Sequence, residues 1–106
     1  MTNRLIDDAA VVTLGGDLDL YRAPEIRLAL QEAVRKPRLI IDLGEARLVS
    51  AAALGELMLC YKQRMAAGLE AARLVVRSAC VRKIFEITNL TRLWTFFESV
   101  EAACMP

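Results

Sequence analysis

The sequence predicts an α/β fold in which helices pack on a sheet of four or five strands, and two observations carry that expectation. Short β-branched apolar runs, Val11-Val12-Thr13-Leu14, Leu39-Ile40-Ile41-Asp42-Leu43 and Arg73-Leu74-Val75-Val76, alternate with longer stretches whose apolar residues recur at helical spacing. The run from Leu39 to Leu43 is nearly all apolar, as expected of a strand covered on both faces.

Met1 to Asp8 is expected to fray. Val11 to Leu14 reads as a strand, Gly15-Gly16 as a turn or bulge, and Asp17-Leu18-Asp19-Leu20 as an extended segment by its alternation. Ala23 ends that segment, because a residue before proline is pushed away from helical angles, and Pro24 opens the first helix. In that helix Ile26, Ala29, Leu30, Ala33 and Val34 share a face, and Lys36-Pro37 stops it. After the Leu39–Leu43 strand, Gly44 to Val49 reads as a connection. Ser50 is the natural N-cap of the second and longest helix, since its hydroxyl can accept from an orphan N–H.

The second helix is expected to run to Ala67, with Gly68 as its left-handed stop. Leu54, Leu57, Met58, Tyr61 and Met65 face the core on a helical wheel, which leaves Ala52, Glu56, Leu59, Gln63 and Ala66 on the outer face. Following the Arg73 strand, Ser78 caps a third helix in which Val81, Ile84, Phe85 and Thr88 share a face, and Asn89 ends it. Leu90 to Leu93 forms a turn, Trp94 to Phe97 an edge strand, and Ser99 starts a brief terminal helix through Ala103.

The 106 residues suit one domain, 1–106, with its core at about 9–104, large enough to bury that core without disulfides or metals. Fourteen basic and thirteen acidic residues give a net charge of +1, spread along the chain, so neither nucleic acid nor an anionic membrane is favoured as a partner. The opening residues form no signal core, and no stretch approaches the ~18 apolar residues of a spanning helix. A cytoplasmic location without membrane insertion is the expectation.

Cys60, Cys80 and Cys104 are widely spaced, and the chain has no histidine to join them at a metal or to act as a general base. No metal or cofactor is expected. Without a nucleophile and base pair or a Gly-rich phosphate loop, an enzyme is the least favoured class.

Gly16-Asp17-Leu18-Asp19-Leu20 with Ala23-Pro24-Glu25, the Leu39–Leu43 strand, and Val81-Arg82-Lys83-Ile84-Phe85-Glu86-Ile87-Thr88-Asn89-Leu90 occur in that order. In these pieces the chain resembles STAS domains, the sulfate transporter and anti-sigma factor antagonist family, from about Val11 to Ala103. The resemblance implies a mixed sheet flanked by helices and, in bacteria, a role in partner switching. In that scheme an unmodified STAS protein binds an anti-sigma factor that is itself a serine kinase, and phosphorylation ends the interaction.

Family members carry the modified residue in an Asp-Ser-Ser-Gly or Asp-Ser-Thr-Gly motif followed by Leu-Gly. Aligned on Leu54-Gly55, this chain has Ser50 for the Asp, Ala51 and Ala52 for the hydroxyl residues, and Ala53 for the Gly. Both usual acceptor positions therefore lack an oxygen, and Ser50 is left as a displaced candidate whose place before the helix already explains it as a cap. Asp19 matches the family's acidic residue near the motif; it either caps a turn or lies beside the helix start.

The resemblance thus implies a non-enzymatic regulator of transcription with a docking surface made of Asp19, Ser50, Ala51, Ala52, Ala53, Glu56, Leu59 and Gln63. Small side chains around an outward Leu59 would let another surface approach closely. Two other readings stay open. Stand-alone STAS proteins also resemble subunits that dock on ABC-type transporter ATPases, including lipid-trafficking systems, and the start of the second helix could hold a free phosphate or nucleotide on its backbone N–H groups. A homodimer is a further possible assembly.

Overall fold

A computed structural model describes residues 2–6 and 8–105. Five strands form one mixed sheet in the order β1 (Thr2–Ile6), β2 (Ala9–Thr13), β4 (Arg38–Asp42), β6 (Arg73–Val75) and β7 (Thr95–Phe97). β1 runs antiparallel to β2, and the remaining neighbours are parallel. A separate two-stranded parallel ribbon joins β3 (Gly16–Leu18) to β5 (Ala46–Val49). The helices are α1 (Ala23–Ala33), α2 (Ala51–Ala66), α3 (Ala79–Ile87) and α4 (Val100–Cys104).

Alternation along the strands sorts the core into two layers, because successive side chains point to opposite faces. Val12, Leu39, Ile41 and Leu74 join the large cluster that includes Ile26 and Leu30 of α1, Leu57 of α2 and Phe85 of α3. Val11, Ile40 and Val75 face the other way, onto Val100 and Ala103 of α4. β4, which starts at Arg38 and ends at Asp42 rather than running from Leu39 to Leu43, is therefore covered on both faces, as the composition of that run required. Trp94 is buried and meets Tyr61 and Phe85 edge-on, with ring centroids 5.8 and 5.7 Å apart.

The caps agree with the sequence. Hydroxyls of Ser50, Ser78 and Ser99 each accept from the N–H three residues on, and Gly68 at φ 74° and Asn89 at φ 59° follow the ends of α2 and α3.

Several boundaries differ. Of the segment expected to fray, Thr2 to Ile6 is instead an edge strand, held by a ladder to β2 that its own pattern does not advertise; Met1 and Asp7 lie outside the described residues. The Gly44–Val49 connection contains β5, which among the described residues pairs with the short β3 alone. Leu20 is not extended: it begins a 3₁₀ turn, Leu20–Arg22, that runs directly into α1 at Ala23, one residue before Pro24. Ala67 caps α2 rather than continuing it, and Thr88, placed on the inner face of α3, is an exposed C-cap residue.

The inner face of α2 is also displaced from the expected wheel. Leu54 and Leu57 are buried, but Cys60 and Arg64 replace Tyr61 and Met65 at the centre; Met58 and Tyr61 are half-buried and Met65 is exposed. The displacement arises because α1 packs against the flank of α2. Cross-links between Arg27 and Glu56, Gln31 and Gln63, and Arg64 and Val34 show the two helices running side by side in the same direction.

Candidate functional site

The ribbon of β3 and β5 delivers the chain to the start of α2. Its last link is the Ser50 N–H donating to the Leu18 carbonyl at 2.9 Å, which sets Asp19 beside the head of the helix. Asp19 also caps the 3₁₀ turn, its Oδ1 accepting from the N–H groups of Tyr21 at 3.0 Å and Arg22 at 3.2 Å. Both roles open to this residue in the sequence are thus filled at once.

At Ser50, Oγ accepts from the Ala53 N–H at 3.2 Å while the carbonyl accepts from Leu54 N–H at 2.9 Å, so the hydroxyl is engaged as an N-cap. Ala51 is exposed, Ala52 half-buried and Ala53 buried. The methyl of Ala53 therefore points into the protein, where the family motif has Gly, and only Ala51 and Ala52 head the open surface. Gly55 adds a bare patch, since a Cβ there would meet no atom within 4 Å.

Further along, the outer stripe expected on α2 is partly covered. Glu56 is buried: its two carboxylate oxygens accept from Nε and Nη2 of Arg27 at 2.8 and 2.9 Å. The carboxylate raises the Arg27 pKa above its ordinary value through these hydrogen bonds and the opposite charge. Gln63 is exposed but its Oε1 accepts from Gln31 Nε2 at 2.7 Å, and Leu59 is half-buried. Ala53 and Glu56 are hence corrected from outward to covered, because a wheel for one helix takes no account of a neighbour on its side.

The structure adds residues the sequence reading missed. Leu20 and Tyr21, in the capped turn next to Asp19, are 65% and 89% exposed, and Leu28 on α1 is 67% exposed. An extended Asp17-Leu18-Asp19-Leu20 would set both leucines on one face, whereas only Leu18 is buried. The available signal was Asp19 itself, a strong turn-capping residue shortly before a helix-opening proline.

Charges around this surface neutralise one another. Arg47 pairs with Asp17 at 3.0 Å, Arg22 with Glu25 at 3.2 Å, and Arg27 with Glu56. Apolar and small side chains rimmed by balanced ion pairs suit contact with another macromolecular surface. Among the described residues, no group of three or more His, Cys, Asp or Glu could hold a metal, and no helix is long and apolar enough to cross a membrane.

Comparison with known proteins follows the same lines. The family model described as STAS domain matches residues 1–103. An anti-sigma factor antagonist from Mycobacterium paratuberculosis superposes with a TM-score of 0.84 at 22% identity, covering 96% of this chain and 87% of that one. The anti-sigma factor antagonist SpoIIAA in its unphosphorylated form superposes at 0.78 with 19% identity, covering 95% of this chain and 90% of that one. The phosphorylated form of SpoIIAA, described as a Bacillus cell fate determinant, gives 0.71 at 18% identity with 95% and 94% covered. At these identities the likeness is one of fold.

Proposed function

This chain belongs to the STAS domain family, and from that premise we propose that it is a non-enzymatic docking protein of the anti-sigma factor antagonist kind. In this reading it acts by partner switching in transcription regulation and binds an anti-sigma factor that is itself a serine kinase. The observation that carries the reading is the head of α2. Ala51 and Ala52 stand at its open start without an oxygen to accept phosphate, and Ser50 Oγ is held by the Ala53 N–H.

The docking surface consists of the head of α2, Leu59, and the turn bearing Asp19, Leu20 and Tyr21. A phosphate would bring roughly −1.5 to −2 charges to this helix start. Alanine carries none, so the surface keeps one charge state and the partner stays bound whether or not ATP is present.

Affinity capture from the source cell, followed by intact-mass measurement with ATP, tests this. The expected result is retention of an anti-sigma factor with no mass change on the wild-type chain. The Ala51→Ser/Ala52→Ser variant is expected to gain phosphate and release that partner. Capture of a transporter ATPase instead, or ATP-dependent modification at Ser50, overturns the reading.

A further inference from the structure

We propose that the cleft floored by Glu56 is a subsite for a basic side chain of the docking partner, and that Arg27 is the resident occupant which such a side chain displaces; this rests on the docking reading above. Glu56 is the sole acidic residue of α2 and is 8% exposed, so its carboxylate needs a cation beside it. Arg27 supplies one through two parallel bonds of 2.8 and 2.9 Å.

That occupant is open to exchange from the solvent side. The Arg27 side chain is 59% exposed while that of Glu56 is 10% exposed, so the arm reaches the carboxylate from water. A guanidinium that swings out regains hydration, whereas the buried carboxylate still needs a cation in its place.

The cleft beside it measures about 380 Å³ and is walled by Ala23, Pro24 and Leu28. Apolar walls suit the methylene stem of an incoming lysine or arginine, and the carboxylate on the floor suits its head group; an arginine fork can reproduce both bonds. Exchange of one guanidinium for another leaves the charge balance unchanged while burying a stem that Arg27 leaves in water. The partner chemistry assigned here is thus a basic side chain projecting from a largely apolar surface.

Titration of the ¹⁵N-labelled chain with L-argininamide, and separately with its isostere L-citrullinamide, which keeps the α-ammonium but carries a neutral ureido group in place of the guanidinium, tests the subsite by NMR. Argininamide is expected to shift the amides of residues 23–28 and 56, and citrullinamide to leave them in place. Arg27→Met removes the internal competitor and is expected to tighten argininamide binding several-fold, whereas Glu56→Gln abolishes it. Equal shifts from both probes, no shift with either, or unchanged or weaker binding to Arg27→Met overturns the proposal. If Glu56→Gln fails to fold, the Arg27→Met variant carries the assignment, since tighter argininamide binding on removal of Arg27 identifies the carboxylate that Arg27 occupies, Glu56. Capture of a protein partner without argininamide binding overturns the subsite alone. Argininamide binding without any capture supports the subsite and overturns the docking reading.

Discussion

The guanidinium of Arg64, with no exposed surface, donates to the main-chain carbonyl of Val34 at 2.9 Å and so ties the end of α2 to the end of α1. The same group donates to the carbonyls of Lys36, Pro37 and Glu70. Two helices running in the same direction place two negative dipole ends together, and a buried cation offsets both. Burial pulls the Arg64 pKa below its ordinary value, against the opposing influence of Cys60 and Glu70.

Replacing Arg64 by Met is therefore expected to destabilise the chain by roughly 3–5 kcal/mol, since four carbonyls lose their donor together. Arg64→Lys recovers part of the loss, because an ammonium has three donors and no fork. Urea denaturation midpoints check both; a change under ~1 kcal/mol for Arg64→Met would show that the carbonyls find water instead.

Tyr21→Ala separates docking from folding. Tyr21 is 89% exposed, so its removal is expected to leave stability within about 0.5 kcal/mol. Retention of the captured partner should nevertheless fall sharply. Thermal unfolding alongside capture measures the two effects.

Ser50→Ala removes the oxygen that accepts from the Ala53 N–H and is expected to cost about 1 kcal/mol. Ser50→Asp, which can make the same bond and places an acid at the positive end of α2, keeps or exceeds wild-type stability. Chemical denaturation of the two variants side by side decides between a capping serine and one whose oxygen is dispensable.

The thiols supply a pH prediction. Cys60 is 1% exposed, and burial pushes its pKa from 9.0 up to about 11, with the charge of Arg64 acting the other way. A pKa raised on folding means the unfolded chain loses this proton first. The associated stability is thus complete below pH 9 and is lost progressively as pH rises toward 11, by roughly 2–3 kcal/mol in total. Cys60→Ala removes that slope, and the difference between the two stability profiles isolates it. In native buffer an alkylating reagent should modify exposed Cys80 rapidly and reach Cys60 only on unfolding.

Local signals read well in this chain because their causes are local. Serines at 50, 78 and 99 cap helices within three residues of themselves, Gly68 and Asn89 adopt left-handed angles at helix ends, and Leu39 to Leu43 carries its burial in its composition. The pieces Gly16–Glu25, Leu39–Leu43 and Val81–Leu90 sufficed to indicate the family whose model matches residues 1–103. β1 and β5 escaped notice because a three- to five-residue strand draws its definition from a partner elsewhere in the chain, as Thr2 does from Thr13 and Val49 from Leu18.

What the residues determined alone is the α/β alternation, the caps, and a helix head where Ala51 and Ala52 leave no oxygen to modify. Which side of α2 meets solvent was decided only by the tertiary structure. α1 lies along its flank, covers Glu56 with Arg27 and buries Arg64 among carbonyls, while the Asp19 turn lifts Tyr21 into water. The reason is physical: a helix's own periodicity defines one apolar stripe, but exposure depends on every surface that packs against it, and those surfaces come from distant parts of the chain.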